Sequence, residues 1–242
     1  MDRPFYPAAL FAGLAPMKQA LLLCAGRGER LRPLTDELPK PLVDVNGETL
    51  LGRHLRALSD AGFEQVVINL GWLGERIVEH ADSGSRYGLR IVYSPEGYPT
   101  LDTGGAIAQA LPHLEDTFLV VNADIWTAFD YSKAGASVLK DTDAAIGLVA
   151  NPDYRASGDF TLCEGSVTNQ RTPGLTYSGI ACYHRRFFDH TRAGERFSIV
   201  PMLRAAADAG RLSGFPIVAD WFDVGTPERL ASVRAYAAKV NR

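Results

Sequence analysis

The chain has 242 residues, a formal net charge of −3 and 46% hydrophobic residues, room for one large α/β domain or two small ones. The slightly acidic balance and the lack of a basic block exclude a dedicated nucleic-acid surface, and no apolar run approaches the ~18 residues that span a bilayer. Cys24, Cys163 and Cys182 form no C-x-x-C pair, which excludes a zinc cluster built on cysteine pairs and fits a reducing compartment, the cytoplasm.

Residues 5–16 are rather apolar, but Asp2 and Arg3 cancel, and Pro4, Pro7 and Pro16 punctuate the stretch. A secretory signal wants a basic start and an unbroken apolar core. Met17 stands directly before the first strand-like run. Met17 is therefore expected to be the functional start, residues 1–16 a disordered extension and residues 17–242 a single domain.

Residues 20–24 read as a buried strand. The run leads into Gly26-Arg27-Gly28, where the backbone can turn tightly and approach a ligand with no Cβ in the way. The N–H groups of such a loop can cradle phosphate oxygens. Arg30, Arg32 and Lys40 add positive charge close by, and three cations beside the loop fit a triphosphate. Leu31 stands where a dinucleotide fingerprint has its third glycine, and no Gly-Lys-Ser/Thr follows, so this is neither that fingerprint nor a Walker loop. Pro39 and Pro41 fix φ on either side of Lys40. That stiff setting suits phosphate contact; the other reading is an exposed lysine in a turn.

Residues 49–61 place Leu50, Leu51, His54, Leu55 and Leu58 on one helical face, with Gly62 as the C′ residue. His54 reads as core rather than ligand. Strand-like runs recur at residues 66–69, 90–93, 118–122 and Ala144–Val149, with helical patterns at 72–82 and 104–111. In Asp102-Thr103-Gly104-Gly105 the glycines permit close backbone approach and Thr103 can cap the helix. Asp124 follows an apolar strand, where an Asp can equally cap a helix or hold a cation. Strand–helix alternation predicts an α/β fold: a Rossmann-like, mostly parallel sheet flanked by helices, with ligands past the carboxyl ends of the strands. Residues 151–175 are rich in Gly, Asp, Ser, Thr and Asn, with β-like pieces at 160–163 and 179–183. They read as a small mixed β insertion leaning on the main sheet. Residues 187–210 look helical, with Pro201 breaking or starting a helix, and 230–240 form a C-terminal helix. Asp223, between Phe222 and Val224, wants a partner or a metal.

The ordered combination of strand, Gly26-Arg27-Gly28-Glu29-Arg30, Arg32-Pro33-Leu34-Thr35 and Pro39-Lys40-Pro41 resembles the sugar-1-phosphate nucleotidyltransferases over residues 18–239. The resemblance implies a triphosphate held by Ala25, Gly26, Gly28, Glu29, Arg30 and Lys40. It makes Arg30, Lys40 and Asp124 catalytic, and Asp124 and Asp223 ligands of Mg²⁺. It places Glu96, Asp102 and Gly104 near the nucleotide base and sugar. Asn122, Gly158, Ser178 and Asp223 then face the acceptor sugar, with Trp126 a further candidate. Val121-Asn122-Ala123-Asp124-Ile125-Trp126, Gly158-Asp159-Phe160, Tyr177-Ser178-Gly179-Ile180 and Asp223-Val224-Gly225-Thr226-Pro227 look most like the N-acetylmuramate α-1-phosphate uridylyltransferases of cell-wall recycling. The implied substrates are UTP and N-acetylmuramic acid α-1-phosphate, with no nucleic-acid or membrane partner. Mannose-1-phosphate guanylyltransferases, phosphoalcohol cytidylyltransferases and inactive regulatory homologues that bind a nucleotide sugar are the alternatives. One departure is Ala123, where the family often has Gly; its methyl group is expected beside the metal.

Overall fold

A computed structural model describes residues 17–134, 142–170 and 174–240; the extension expected over residues 1–16 lies outside them. In chain order the elements are β1 (Gln19–Leu23), α1 (Leu34–Glu37), β2 (Asp44–Val45), β3 (Glu48–Thr49), α2 (Leu50–Asp60), β4 (Gln65–Leu70), α3 (Gly74–Ala81), β5 (Arg90–Pro95), α4 (Asp102–Ala110), β6 (Thr117–Asn122) and β7 (Ile125–Thr127). They continue with β8 (Ala144–Val149), β9 (Thr161–Cys163), β10 (Ser166–Thr168), β11 (Thr176–His184), α5 (Val200–Asp208), β12 (Leu212–Pro216), β13 (Trp221–Asp223) and α6 (Pro227–Val240).

Nine strands form one sheet in the order β5-β4-β1-β6-β11-β8-β12-β10-β9. β5, β4, β1 and β6 are parallel neighbours, as are β8 and β12. β11 and β10 run against the strands beside them. The strands read as unbroken apolar runs because both faces of the sheet are covered. Ala20, Leu22, Val66, Ile68 and Val121 pack to one side with Leu51, Leu55 and Ile77 from α2 and α3. Leu21, Val67 and Val120 point to the other, with Ile107 of α4 and Leu203 of α5. That is the two-residue alternation of a pleated strand, with each face buried against helices.

Helix α2 begins where the sequence predicts. Thr49 Oγ1 accepts from Gly52 N–H at 2.9 Å, and Gly62 at φ +84° ends it. Two expectations change. The mixed β part is no separate insertion: β11, β8, β12, β10 and β9 continue the main sheet, because β11 inserts beside β6 with Ile180 opposite Val121. Residues 187–210 are not one helix. A 3-10 turn (Arg185–Phe188) and an irregular segment precede α5, which Pro201 opens from its first turn, where its missing N–H costs no bond.

His54 is core, as its helical position predicts. It is 1% exposed and shares short polar contacts with Tyr131 Oη (2.8 Å) and the Ile125 carbonyl (2.9 Å). Burial pulls its pKa from 6.5 down to about 4, against the opposing pull of the Ile125 hydrogen bond. The unfolded chain therefore binds a proton below pH ~6.5 that the folded chain refuses until about pH 4. Stability falls with falling pH across that window, by about 3 kcal/mol at its end. Chemical denaturation between pH 7.5 and 4.5 is expected to show this slope, and His54→Gln to flatten it. An unchanged slope in the variant would assign the acid sensitivity elsewhere.

Candidate active site

The glycine loop leaves β1 and is braced from behind. Gly28 takes φ +68°, and its carbonyl accepts from Leu31 N–H and Thr35 Oγ1, both at 2.9 Å. Trp72 Nε1 donates to the Thr35 carbonyl at 2.9 Å. A Cβ on Gly28 would sit 3.1 Å from both Lys40 Cβ and Thr35 Cγ2, whereas one on Gly26 would meet no protein atom within 4 Å. Packing thus requires Gly28 to be small and leaves Gly26 open to the solvent side.

A cleft of about 570 Å³ opens above this loop at the carboxyl ends of the parallel strands. Ala25, Gly26, Gly28, Glu29, Arg30 and Lys40 line it, as do Glu96 and Asp102 from across the mouth. A second pocket of about 270 Å³ holds Ser178, Asp159 and Asp223, and Arg30, Asn122 and Asp124 border both. The two spaces meet at one cation, one amide and one carboxylate.

Lys40 is 7% exposed, so the reading as an exposed turn lysine falls. Its Nζ lies 2.6 Å from Asp124 Oδ2. Asp223 comes to the same place by strand pairing, since β13 runs antiparallel to β7 with Asp223 opposite Ile125. Val224 N–H also donates to the Asp124 carbonyl at 3.0 Å. Asp223 Oδ2 pairs with Arg229 Nη1 at 2.6 Å. A Cβ on Gly225 would lie 2.9 Å from Asp223 Oδ1 and 3.0 Å from nitrogens of both Arg229 and Arg30. The missing side chain lets these charged groups converge.

These two carboxylates suit Mg²⁺, a hard cation that commonly takes one or two carboxylates and leaves its other positions to phosphate and water. Among the described residues no group of three or more His, Cys, Asp or Glu is arranged to enclose a metal.

Several expected residues are elsewhere. Gly104 does not line the cleft. A Cβ there would lie 2.3 Å from the Phe197 ring, and one on Gly105 would lie 2.2 Å from the Glu195 carbonyl oxygen. Both amides donate to Phe197 O, at 3.0 and 3.1 Å. The glycine pair therefore docks the segment before α5, which brings Arg196 to the cleft. Thr103 does not cap α4; its Oγ1 accepts from Ile199 N–H at 3.1 Å, at the start of α5. Gly158 faces the backbone of Gly174 and Leu175 rather than the pocket. Trp126 is 6% exposed and packs edge-on to Phe222 and Tyr236. Arg32 pairs with Asp36 at 2.7 Å. Ala123 is wholly buried in the core.

Asn69, which sequence reasoning missed, is 3% exposed. It accepts from Cys24 N–H and donates to Glu96 Oε1, both at 2.5 Å. Leu101 N–H holds the other Glu96 oxygen at 2.9 Å. Burial raises the Glu96 pKa, opposed by these two hydrogen bonds. The polar Asn69 ending an apolar strand was the available signal.

A family model described as Nucleotidyl transferase matches residues 19–160. The chain belongs to this family. That bears out the resemblance to sugar-1-phosphate nucleotidyltransferases read from the motifs. The chain is similar to N-acetylmuramate alpha-1-phosphate uridylyltransferase of Neisseria meningitidis serogroup B, at 44% identity over 90% of this chain and 98% of that protein. The enzyme of the same name from Caulobacter vibrioides is 30% identical over 92% and 98%. The crystal structure of HddC from Yersinia pseudotuberculosis aligns with a TM-score of 0.75 at 24% identity, covering 91% of this chain and all of that one, which shows the shared fold. The chain is an enzyme, a nucleotidyltransferase.

Proposed function

We propose that the protein transfers a uridylyl group from UTP to N-acetylmuramic acid α-1-phosphate with Mg²⁺, releasing pyrophosphate, in the cytoplasm. The observation that carries the reaction type is the junction of the two spaces at Arg30, Asn122 and Asp124. A nucleotide in the larger cleft and a sugar phosphate in the smaller pocket meet there. The choice of base and sugar rests on the near-full-length similarity to the Neisseria enzyme.

In this reading the loop amides around Gly26 and Gly28 hold the triphosphate, with Arg30 and Lys40 opposing its charge. Asn122 faces the acceptor sugar; Ser178, expected beside it, is 0% exposed and spends its hydroxyl on the Gly147 carbonyl and Ile180 N–H. An oxygen of the sugar phosphate attacks the α-phosphorus, and pyrophosphate departs from the opposite side. No covalent enzyme intermediate is needed, so placement and charge carry the rate. Mg²⁺ held by Asp124 and Asp223 supplies positive charge against the phosphate oxygens. Lys40, at 2.6 Å from Asp124, keeps that carboxylate in place until substrate arrives.

Pyrophosphate release measured over four nucleoside triphosphates and several sugar 1-phosphates, with and without Mg²⁺, tests the proposal. Selective turnover of UTP with N-acetylmuramic acid 1-phosphate is the expected result. Selective use of another pair, such as GTP with mannose 1-phosphate, would overturn the substrate assignment and leave the fold and family untouched.

A further inference from the structure

The smaller pocket is lined by several guanidinium groups whose charges are differently engaged. Arg155 pairs with Asp159, whose carboxylate also accepts from Tyr177 N–H at 3.0 Å. Arg229, behind Asp223, is paired with it. Arg30 is shared with the nucleotide cleft. Arg204 differs from Arg155 and Arg229 in its partners, and from Arg30 in lining only the smaller pocket. It projects from α5 into the pocket, and its guanidinium meets only neutral oxygens: Asn169 Oδ1 at 3.0 Å and the Asp159 carbonyl at 3.4 Å. Among the described residues it makes no ion pair.

This cation is also held still. Its guanidinium lies over the Phe160 ring, 4.8 Å from the centroid. Asn169 grips the residue twice, accepting from the guanidinium and donating back to the Arg204 carbonyl at 2.9 Å. Asn169 Nδ2 is fixed in turn by Asp208 Oδ1 at 2.6 Å. A partly desolvated, pre-oriented guanidinium without a counterion is set up for a planar anion. One turn earlier, Val200 is 42% exposed beside the same pocket, an apolar neighbour for a small alkyl group.

We infer that Arg204 is a specificity residue that reads a carboxylate on the acceptor sugar, the lactyl carboxylate of N-acetylmuramic acid, with Asn169 as its positioning residue. The inference rests on the acceptor assigned above. Phosphate recognition is the work of Arg30 and Lys40; Arg204 distinguishes an acidic sugar from its neutral analogues. A site built to bond a charged group discriminates against the analogue that lacks it, because its partly desolvated charge is then left uncompensated.

The test is a substrate–variant cycle on the full chain, using UTP with N-acetylmuramic acid 1-phosphate and with its lactamide, which has the same shape and no charge. Wild type is expected to lose about 30-fold in kcat/KM on amidation, and Arg204→Gln to lose about as much on the acid. On the lactamide, Arg204→Gln is expected to stay within about two-fold of wild type, because the two changes remove one interaction. Arg204→Lys keeps a charge and is expected to retain part of the preference for the acid. It serves as the deciding variant if Arg204→Gln melts early. Losses that multiply, or a Lys variant with no preference between acid and amide, would overturn the inference while wild type still consumed the acid. Failure of wild type to use the acid at all would overturn the acceptor assignment, and the inference with it.

Discussion

Asp124→Asn is expected to lower kcat by at least about 10³-fold while the protein stays folded, with Tm within about 3 °C of wild type. Asparagine keeps the shape and an oxygen for Lys40 Nζ, now 2.6 Å from the carboxylate, but removes the negative charge. Lys40 is buried, but the side chain at position 124 is 38% exposed, so water reaches that end of the pair and the retained oxygen keeps the ammonium hydrogen-bonded, which limits the loss of stability. Activity suffers more, because transfer between two phosphate-bearing substrates depends on placed charge. Asp223→Asn is expected to act the same way, and in both variants more Mg²⁺ is needed for half-maximal rate. Steady-state rates over a Mg²⁺ series, beside a thermal melt, decide the matter. Near-normal turnover in either variant would remove that carboxylate from the proposed metal site.

The second large effect concerns two glycines whose sequence signals look alike. Gly105→Ala is expected to cost about 3 kcal/mol, roughly 8 °C in Tm. Its new methyl group would lie 2.2 Å from the Glu195 carbonyl oxygen, a backbone atom that cannot swing aside. The segment carrying Arg196 would have to lift from α4, so activity falls with stability. Gly26→Ala is the opposite case. Nothing in the protein lies within 4 Å of the added atom, so Tm is expected to hold within about 1 °C while the KM for nucleotide rises, because the methyl group occupies the ligand's side of the loop. Calorimetry and nucleotide kinetics on both variants separate the cases. Equal losses of Tm would show that the loop glycine also serves packing.

Much of the loop side of the candidate site was legible because it is local. Strand, glycine loop, Arg30 and the Pro-flanked Lys40 lie within 22 residues of Gln19, and short-range rules of turn geometry and charge apply directly to such a stretch. Helix α2 was legible for the same reason: Thr49, the apolar face and Gly62 are all contiguous. The more distant parts of the candidate site were harder. Gly104 and Gly158 looked like ligand-facing positions, yet each accommodates another stretch of this chain, and sequence does not say whether a close approach is to ligand or to protein. Trp126 matched a site motif but is fixed by Phe222 and Tyr236, a contact that exists only once α6 packs on β7 and β13.

The sequence by itself determined the alternation of apolar strands and helices, the glycine loop after the first strand and the acid after the central strand, since each depends on neighbours a few residues away. Only the tertiary structure decided that Lys40 is buried against Asp124, that Asp223 reaches the same place through the pairing of β13 with β7, and that Arg204 stands in the smaller pocket with no ion pair among the described residues. Those facts depend on residues about a hundred or more positions apart being brought together, and side-chain burial and charge pairing are properties of that closed arrangement rather than of any one segment.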